Sequence, residues 1–202
     1  MINEYSWAEE LYKGNRSPST KNNYGDCMYL ARYLIQNGNS VPQSCNLLYD
    51  WGKENHIYFD NRIVLMCQKA EKMQPLRDFV DIHISEEEIN TIKTMLKKKN
   101  SQIVALAMLC YAKAFHAPSE SFDISTYQLE LWTGIQRENI SGRYIKEIES
   151  MGIIKKVEPS AMDYWKGFAK SKMNKYKFCF PLLNEGKYVL NDNNIIGFFE
   201  SL

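Results

Sequence analysis

The segment SQIVALAMLCYAKAFHA, residues 101–117, limits the folds open to this chain more than any other stretch. It is apolar on nearly every side of a helix, and such a helix is stable only when neighbouring elements cover most of its surface. It is also shorter than the ~20 residues that a membrane-spanning helix requires. Because apolar residues make up 45% of the sequence, enough material exists to surround it. We therefore expect a globular core built around this helix and no membrane span.

Residues 1–80 have the spacing of amphipathic helices, with apolar side chains at i, i+3, i+4 and i+7. The first predicted helix covers residues 20–37, and Ser40 is expected to cap a second helix and Asp60 a third, which Pro75 ends. This pattern predicts an N-terminal helical bundle. Two of its segments, YLARYLIQNGNS and DNRIVLMCQKAEK, loosely resemble helical segments next to phage-type primase or replication proteins. The predicted apolar faces consist of Tyr24, Cys27, Met28, Ala31, Leu34 and Ile35, then Cys45, Leu48 and Trp51, then Ile63, Met66, Cys67, Ala70 and Met73.

A second domain is expected over residues 81–182, followed by a C-terminal tail or short helix over residues 183–202. Ser85 and Glu88 form a capping-box pattern that opens a helix. The lysines at 97–99 are expected in the last turn of that helix, where its dipole favours cations. FDIS, IIKKVE and YKFCFPL have the composition of strands, and the last two are expected to pair. The roughly sixteen residues between those two predict either a large wing or a loop that contains a helical turn.

Residues 132–156, WTGIQRENISGRYIKEIESMGIIKK, contain a turn at Gly134 followed by one helical segment. Isoleucines recur where two helices joined by a turn need core contacts, and polar residues lie mostly on the other side. Gly142, in the middle of this segment, would let the backbone come close to a phosphate or a base edge. The isoleucines are Ile135, Ile140, Ile145, Ile148 and Ile153, and Tyr144 fills the i+4 position after Ile140.

A family resemblance rests on LELWTGIQRENISGRYIKEIESMGIIKKVE, followed by a lysine-rich loop and YKFCF. These segments resemble winged helix-turn-helix DNA-binding domains of the phage or plasmid replication-initiator or regulator type, over about residues 84–182. The resemblance implies a mainly α fold with a small β-hairpin wing, in which an N-terminal helical bundle precedes a winged helix-turn-helix domain and residues 136–150 form the recognition helix. It implies binding of double-stranded DNA in replication initiation or transcriptional regulation, in a phage or mobile element.

The predicted DNA contacts form two groups. In the recognition helix, Arg137 and Arg143 are expected to contact bases or phosphates, and Gln136 and Asn139 to contact adenine-type edges. Lysines further along would hold the phosphate backbone, because residues 155–177 contain seven lysines and two acidic residues, a local charge of +5 in a chain of net charge +1. The full predicted set is Gln136, Arg137, Asn139, Ser141, Arg143, Lys146, Lys155, Lys156, Lys166, Lys170, Lys172 and Lys175.

Other interpretations stay open. The lysine segment could be a solvated loop. The glutamates at 138, 147 and 149 offset the cations of the recognition helix, which fits a protein-interaction adaptor within a replication or regulatory complex, without catalytic activity. An enzyme that acts on nucleic acid is not expected, because paired catalytic carboxylates and the P-loop, HExxH and GxSxG motifs are missing from the sequence. The sequence leaves open whether the protein is a homodimer, with the apolar NIIGFFESL as one candidate contact.

No cofactor and no metal ion are expected. The five cysteines are widely spaced and form no CxxC pair, which is typical of reduced, mostly buried thiols in a cytosolic protein. His83 lies near Glu86 and Glu87 and could join a metal site, but the pattern is more typical of a surface histidine at a helix start, since no close ligand pair accompanies it. The N-terminal MINEYSWAEELYKG lacks the charge order of a signal peptide, so a cytoplasmic location is expected.

Overall fold

The computed structural model of this protein is mainly helical, with small antiparallel sheets. Its chain divides into two compact units, residues 3–78 and residues 79–202, whereas the sequence suggested a boundary after residue 80. Within the described part of the chain, no helix is long and apolar enough to cross a membrane. The structure describes residues 3–14, 23–58, 61–78, 81–116, 120–158, 162–165, 168–171 and 174–202.

The N-terminal unit is built from helices α1 (Glu4–Tyr12), α2 (Asn23–Gln36), α3 (Val41–Glu54) and α4 (Arg62–Glu71). The capping role of Ser40 is confirmed, because its hydroxyl accepts the Gln43 N–H and the Gln43 side chain accepts the Ser40 N–H. Most of the predicted apolar faces are buried in one core. Burial raises the pKa of the Cys67 thiol to about 12, with the neighbouring Cys45 adding to the shift.

Several details of this unit differ from the prediction. Tyr24 is 54% exposed because it lies in the first turn of α2, and Met73 is 39% exposed because α4 ends at Glu71, before Pro75. The N-cap position of α4 is Asn61, which makes no side-chain capping bond. The predicted cap, Asp60, lies outside the described residues. Helix α1 has no counterpart among the predicted helices.

The C-terminal unit contains strand β1 (Ile82–Ile84), helices α5 (Glu86–Met95) and α6 (Lys99–Phe115), strand β2 (Phe122–Asp123) and helix α7 (Thr126–Thr133). The predicted capping box of α5 is confirmed, with Ser85 accepting the Glu88 N–H at 3.1 Å and Glu88 accepting the Ser85 N–H at 2.8 Å. Helix α6 is the apolar segment of the sequence, and it is buried without a break from Ile103 to Ala112. This unit is therefore organised around α6, as predicted.

The predicted location of the lysines at 97–99 was wrong. Helix α5 ends at Met95, the buried Leu96 is extended, and Lys99 already begins α6. The Gln102 side-chain amide donates to the carbonyls of Leu96 at 2.6 Å and Lys93 at 3.3 Å, so it satisfies carbonyl groups at the end of α5. The lysines are therefore not needed to satisfy the carbonyl groups at the end of α5. Burial of Leu96 fixes where the chain changes direction.

The segment after Gly134 is a single helix with an irregular turn. It comprises α8 (Arg137–Asn139), a π-helical turn (Ile140–Tyr144) and α9 (Ile145–Ser150), which together are called the 137–150 helix below. Strands β3 (Ile154–Glu158), β4 (Met162–Trp165), β5 (Phe168–Ser171) and β6 (Lys175–Phe178) follow.

The three-stranded antiparallel sheet has the order β2-β6-β3, which confirms the predicted pairing of IIKKVE with YKFCFPL. The strands β4 and β5 pair as an antiparallel hairpin inserted between β3 and β6. The described residues of this stretch are therefore strands and not a helical turn.

Residues 183–202, predicted as a C-terminal tail or short helix, contain a short helix and belong to the C-terminal unit. Strand β7 (Tyr188–Leu190) pairs antiparallel with β1, and helix α10 (Ile195–Ser201) packs on α6 and α7. This segment joins the unit because its apolar side chains are buried there, with Leu190 and Ile195 2% and 0% exposed. Trp132 donates its indole N–H to the Asn193 carbonyl at 3.0 Å, which ties the same segment to α7.

Candidate functional site

The 137–150 helix begins after a turn that the local sequence specifies. Ser125 and Gln128 form a reciprocal capping box at the start of α7, and Gly134 ends α7 in the left-handed conformation, with φ of +67°. The Gly134 N–H closes the helix by donating to the Glu130 carbonyl at 2.9 Å. A left-handed residue at this position favours glycine, which confirms the predicted turn.

One face of the 137–150 helix is buried against α6 and α7. Ile140 and Ile148 are completely buried, and Ile145 and Tyr144 are nearly so. The predicted core role of the isoleucines is thus confirmed for these residues and for Ile153, while Ile135 is only half-buried. The buried face fixes which residues remain available at the surface.

The π-helical turn explains an irregular spacing in the sequence. Ile140 and Ile145 are five positions apart, one more than an α-helical face allows. In the π-helical turn the Ile145 N–H donates to the Ile140 carbonyl, so the turn holds one additional residue and both isoleucines reach the core. Turns of this type are frequent at functional sites.

The opposite side of this helix, called the outer face, carries five of the twelve predicted DNA contacts. Gly142 is also exposed there, and a Cβ built on it meets no atom within 4 Å, so the backbone is accessible at this point. The exposed predicted residues are Arg137, Asn139, Ser141, Arg143 and Lys146, with Gln136 immediately before the helix.

The two arginines of the outer face differ in their surroundings. Arg137 pairs with Glu130 at 2.8 Å and lies 5.8 Å from the centre of the Tyr127 ring. Arg143 lies 5.8 Å from the ring of Tyr144, which belongs to its own helix. Arg137 is therefore held in place by α7, and its charge is partly matched within the protein.

Glu147 is one of the glutamates that offset the cations of the predicted recognition helix. Its side chain points towards α6 and away from the outer face. Its carboxylate accepts hydrogen bonds from Lys98 Nζ at 2.9 Å and from the Ser101 hydroxyl at 3.0 Å. The hydrogen bond from Lys98, together with that from Ser101, lowers the pKa of Glu147. Asn100 also donates to the Tyr144 hydroxyl at 3.2 Å, so the start of α6 holds the 137–150 helix by polar contacts at two points.

The predicted backbone-binding lysines are distributed unevenly. Lys155 and Lys156 are exposed on β3. Lys175 lies on β6 in register with Asp123 of β2 and Glu158 of β3. Lys170 lies in β5, where only the backbone is described, and Lys166 and Lys172 lie outside the described residues.

Lys177 is a surface cation that the predicted set omitted. It lies on β6 directly opposite Lys155, on the face of the sheet away from the buried Tyr176 and Phe178. Like charges directly opposite each other destabilise a sheet, unless an anion lies between them. The alternation of the strand KYKF was the sequence signal that could have identified it.

The structure also shows the surroundings of the other candidate site residues named from the sequence. His83 is exposed, and no group of three or more metal-ligating side chains occurs in the part of the chain that the structure describes. Trp51 and Trp132 are 3% and 5% exposed, so both are core residues as predicted. No protein-family model, no curated protein and no solved structure matches this chain.

Proposed function

We propose that this protein binds double-stranded DNA through a winged helix-turn-helix in its C-terminal unit. The order of elements supports the proposal, since α6, β2, α7, the 137–150 helix, β3, a hairpin and β6 follow one another along the chain. Helix α7 and the 137–150 helix would be the helix-turn-helix, joined at Gly134. The β4–β5 hairpin would be the wing.

The observation that carries this proposal is the outer face of the 137–150 helix. It combines cationic, amide and hydroxyl groups on a helix whose other face is buried, and such a helix can enter a major groove. Arg137 and Arg143 would contact guanine edges or phosphates, and Gln136 and Asn139 would contact adenine edges. The orientation of Glu147 towards Lys98 supports the proposal further, because it removes one carboxylate from that face.

The sheet would supply phosphate contacts beside this helix. Lys155 and Lys177 lie side by side on its outer surface and suit a phosphate group better than Lys175, which lies opposite Asp123 of β2. The biological role expected from the sequence, replication initiation or transcriptional regulation, remains part of the proposal. A homodimer that binds two half-sites is compatible with it.

Fluorescence anisotropy of a random duplex at several salt concentrations tests the proposal. For phosphate-driven binding, log K falls with log salt at a slope of about −0.9 per neutralised phosphate. The variant Lys155→Gln/Lys177→Gln should flatten that slope by about 1 to 2. The matched control is Lys69→Gln/Lys72→Gln, which removes the same charge from exposed positions of the N-terminal unit and should change the slope little.

The double variant Arg137→Ala/Arg143→Ala tests the helix assignment. Each well-placed arginine contact contributes about 1–3 kcal/mol, so affinity for duplex DNA should fall at least tenfold. Unchanged affinity would exclude the 137–150 helix as the contacting element. An absence of any binding by the wild-type protein at low salt would reject DNA as the partner.

A protein-interaction adaptor is the second candidate, and one observation favours it. Val64 and Leu65, adjacent on α4, are 42% and 65% exposed, which is unusual for aliphatic side chains of a helical bundle. The variant Leu65→Lys should then abolish binding to a partner purified with the wild-type protein, while duplex binding stays unchanged. Retention of the partner by this variant would argue against the adaptor.

A further inference from the structure

Arg137 of the outer face is held by two side chains of α7. Its Nε lies 2.8 Å from Oε2 of Glu130, and Oε1 of the same carboxylate accepts the Arg137 backbone N–H at 3.3 Å. The centre of the Tyr127 ring lies 5.8 Å from the guanidinium carbon, which is within the range of a cation–π contact. Tyr127 and Glu130 are three positions apart and are therefore neighbours on the surface of α7. Together they restrict the orientation of this arginine.

The position of the ion pair on the guanidinium decides what Arg137 can still bind. One Glu130 oxygen lies at Nε and the other accepts the backbone N–H, so donors of the two terminal nitrogens are left for a ligand. An arginine contacts O6 and N7 of guanine through two such donors at once. Because the Arg137 side chain is 50% exposed, these donors are accessible to a base edge.

Arg143, the second arginine of the outer face, has no comparable support. Among the described residues it makes no ion pair, and its ring contact is with the adjacent Tyr144 of its own helix. A base edge requires two aligned donors, whereas a phosphate presents oxygens in several directions. Arg143 therefore suits a phosphate, and Arg137 suits a base edge.

Glu130 is unfavourable for DNA binding by charge alone. Its carboxylate offsets the charge of Arg137 and repels phosphates, although each cation that neutralises a phosphate strengthens binding. The ion pair also contributes little to stability, since Arg137 is half exposed. A role in orienting Arg137 accounts for the carboxylate, whereas neither the affinity for phosphates nor the stability of the fold does.

We propose that Glu130 is a positioning residue, which orients Arg137 to read a guanine edge, while Arg143 contacts a phosphate. This assignment rests on the proposed function and divides the outer face into one arginine that reads sequence and one that supplies charge. Removal of the Glu130 carboxylate should therefore have two opposite effects. Binding to DNA of random sequence should become tighter, and discrimination between sequences should become weaker.

Fluorescence anisotropy with two duplexes tests this assignment. One is the duplex that the wild-type protein selects from a random-sequence pool, and the other is a duplex of random sequence. Glu130→Gln should lower the ratio of the two affinities at least about fivefold, because an aligned bidentate contact contributes at least that much discrimination. The same variant should bind the random duplex more tightly, with a salt slope steeper by up to about 0.9. Retained binding to the random duplex also shows that the variant is folded.

Three further variants make the test specific. Arg143→Ala should weaken binding to both duplexes by similar factors and leave their ratio unchanged. Glu138→Gln is the matched control, because it removes the same charge from an exposed acid beside Arg137 that lies outside the ion pair, and it should keep the ratio. In an Arg137→Ala background, Glu130→Gln should lower the ratio no further, whereas a merely structural effect would lower it in either background.

The outcomes separate this assignment from the proposed function. If the wild type discriminates between the duplexes and Glu130→Gln keeps the ratio, the positioning role is overturned while DNA binding stands. A double variant with a lower ratio than Arg137→Ala alone, or a wild type that binds both duplexes equally, would overturn it in the same way. An absence of duplex binding by the wild type would reject the proposed function, and the role of Glu130 with it.

Discussion

Helix α6 and the 137–150 helix are both held in the same unit by apolar side chains, but they differ in how much of their surface is covered. Every residue of α6 from Ile103 to Ala112 is buried. In the 137–150 helix, buried residues alternate with exposed ones, which include cationic, amide and hydroxyl groups and the acidic Glu138. Helix α6 stabilises the fold through side chains on all of its faces, whereas the outer face of the 137–150 helix contributes little to stability. The proposed function assigns the polar groups of the outer face to DNA binding.

The largest effect in this comparison is expected in α6. Leu109 is 0% exposed, so Leu109→Ala should lower the free energy of unfolding by about 2–5 kcal/mol through lost burial and a residual cavity. Arg143→Ala, on the outer face, should change it by no more than about 0.5 kcal/mol. Urea denaturation of both variants measures the difference. Similar destabilisation by the two would mean that the outer face is part of the folding core.

A smaller effect is expected from the contact of Glu147, on the 137–150 helix, with Lys98 at the start of α6. The folded-state pKa of Glu147 is lowered by Lys98, so its contribution is fully present above the ordinary carboxyl pKa and disappears as pH falls through the lowered value. Since Lys98 is half exposed, Glu147→Gln should cost only about 0.2–1 kcal/mol near neutral pH. The difference in unfolding free energy between wild type and Glu147→Gln should therefore disappear at acidic pH. Unfolding measurements over a series of pH values check this.

The control for this measurement is Glu138→Gln, an exposed acid of the same helix. It should leave the unfolding free energy nearly unchanged at every pH. A wild-type advantage over Glu147→Gln that persists or grows in acid would contradict the proposed role of the carboxylate.

A change of the opposite sign is expected at Gly142. Because a Cβ there meets no neighbouring atom, Gly142→Ala should raise the free energy of unfolding by about 0.5–1 kcal/mol through reduced chain entropy. If the DNA backbone or a base edge comes close at this point, the same variant should bind duplex DNA more weakly. Anisotropy and urea denaturation together measure both effects, with Ser141→Ala as the neighbouring control. Higher stability with unchanged affinity would reject a close approach at Gly142.

Much of the fold could be predicted because its signals are local. The caps at Ser40 and Ser85, the left-handed Gly134 and the apolar pattern of α6 each involve residues within a few positions of one another. The five-residue step from Ile140 to Ile145 was also visible, but without the structure it did not indicate a π-helical turn. Local signals failed at Lys99, where burial of Leu96 and the bonds from Gln102 decided the boundary.

The sequence by itself determined most of the helical elements, the isoleucine face of the 137–150 helix and the concentration of lysines after it. The tertiary structure alone decided that Glu147 faces Lys98, that Lys177 lies opposite Lys155, and that the last twenty residues complete the C-terminal unit. Glu88 and Leu183 meet across a separation of 95 residues, where the Glu88 carboxylate accepts the Leu183 N–H. Such pairs carry no local pattern, because they arise from how complete helices and strands pack once their apolar faces are buried.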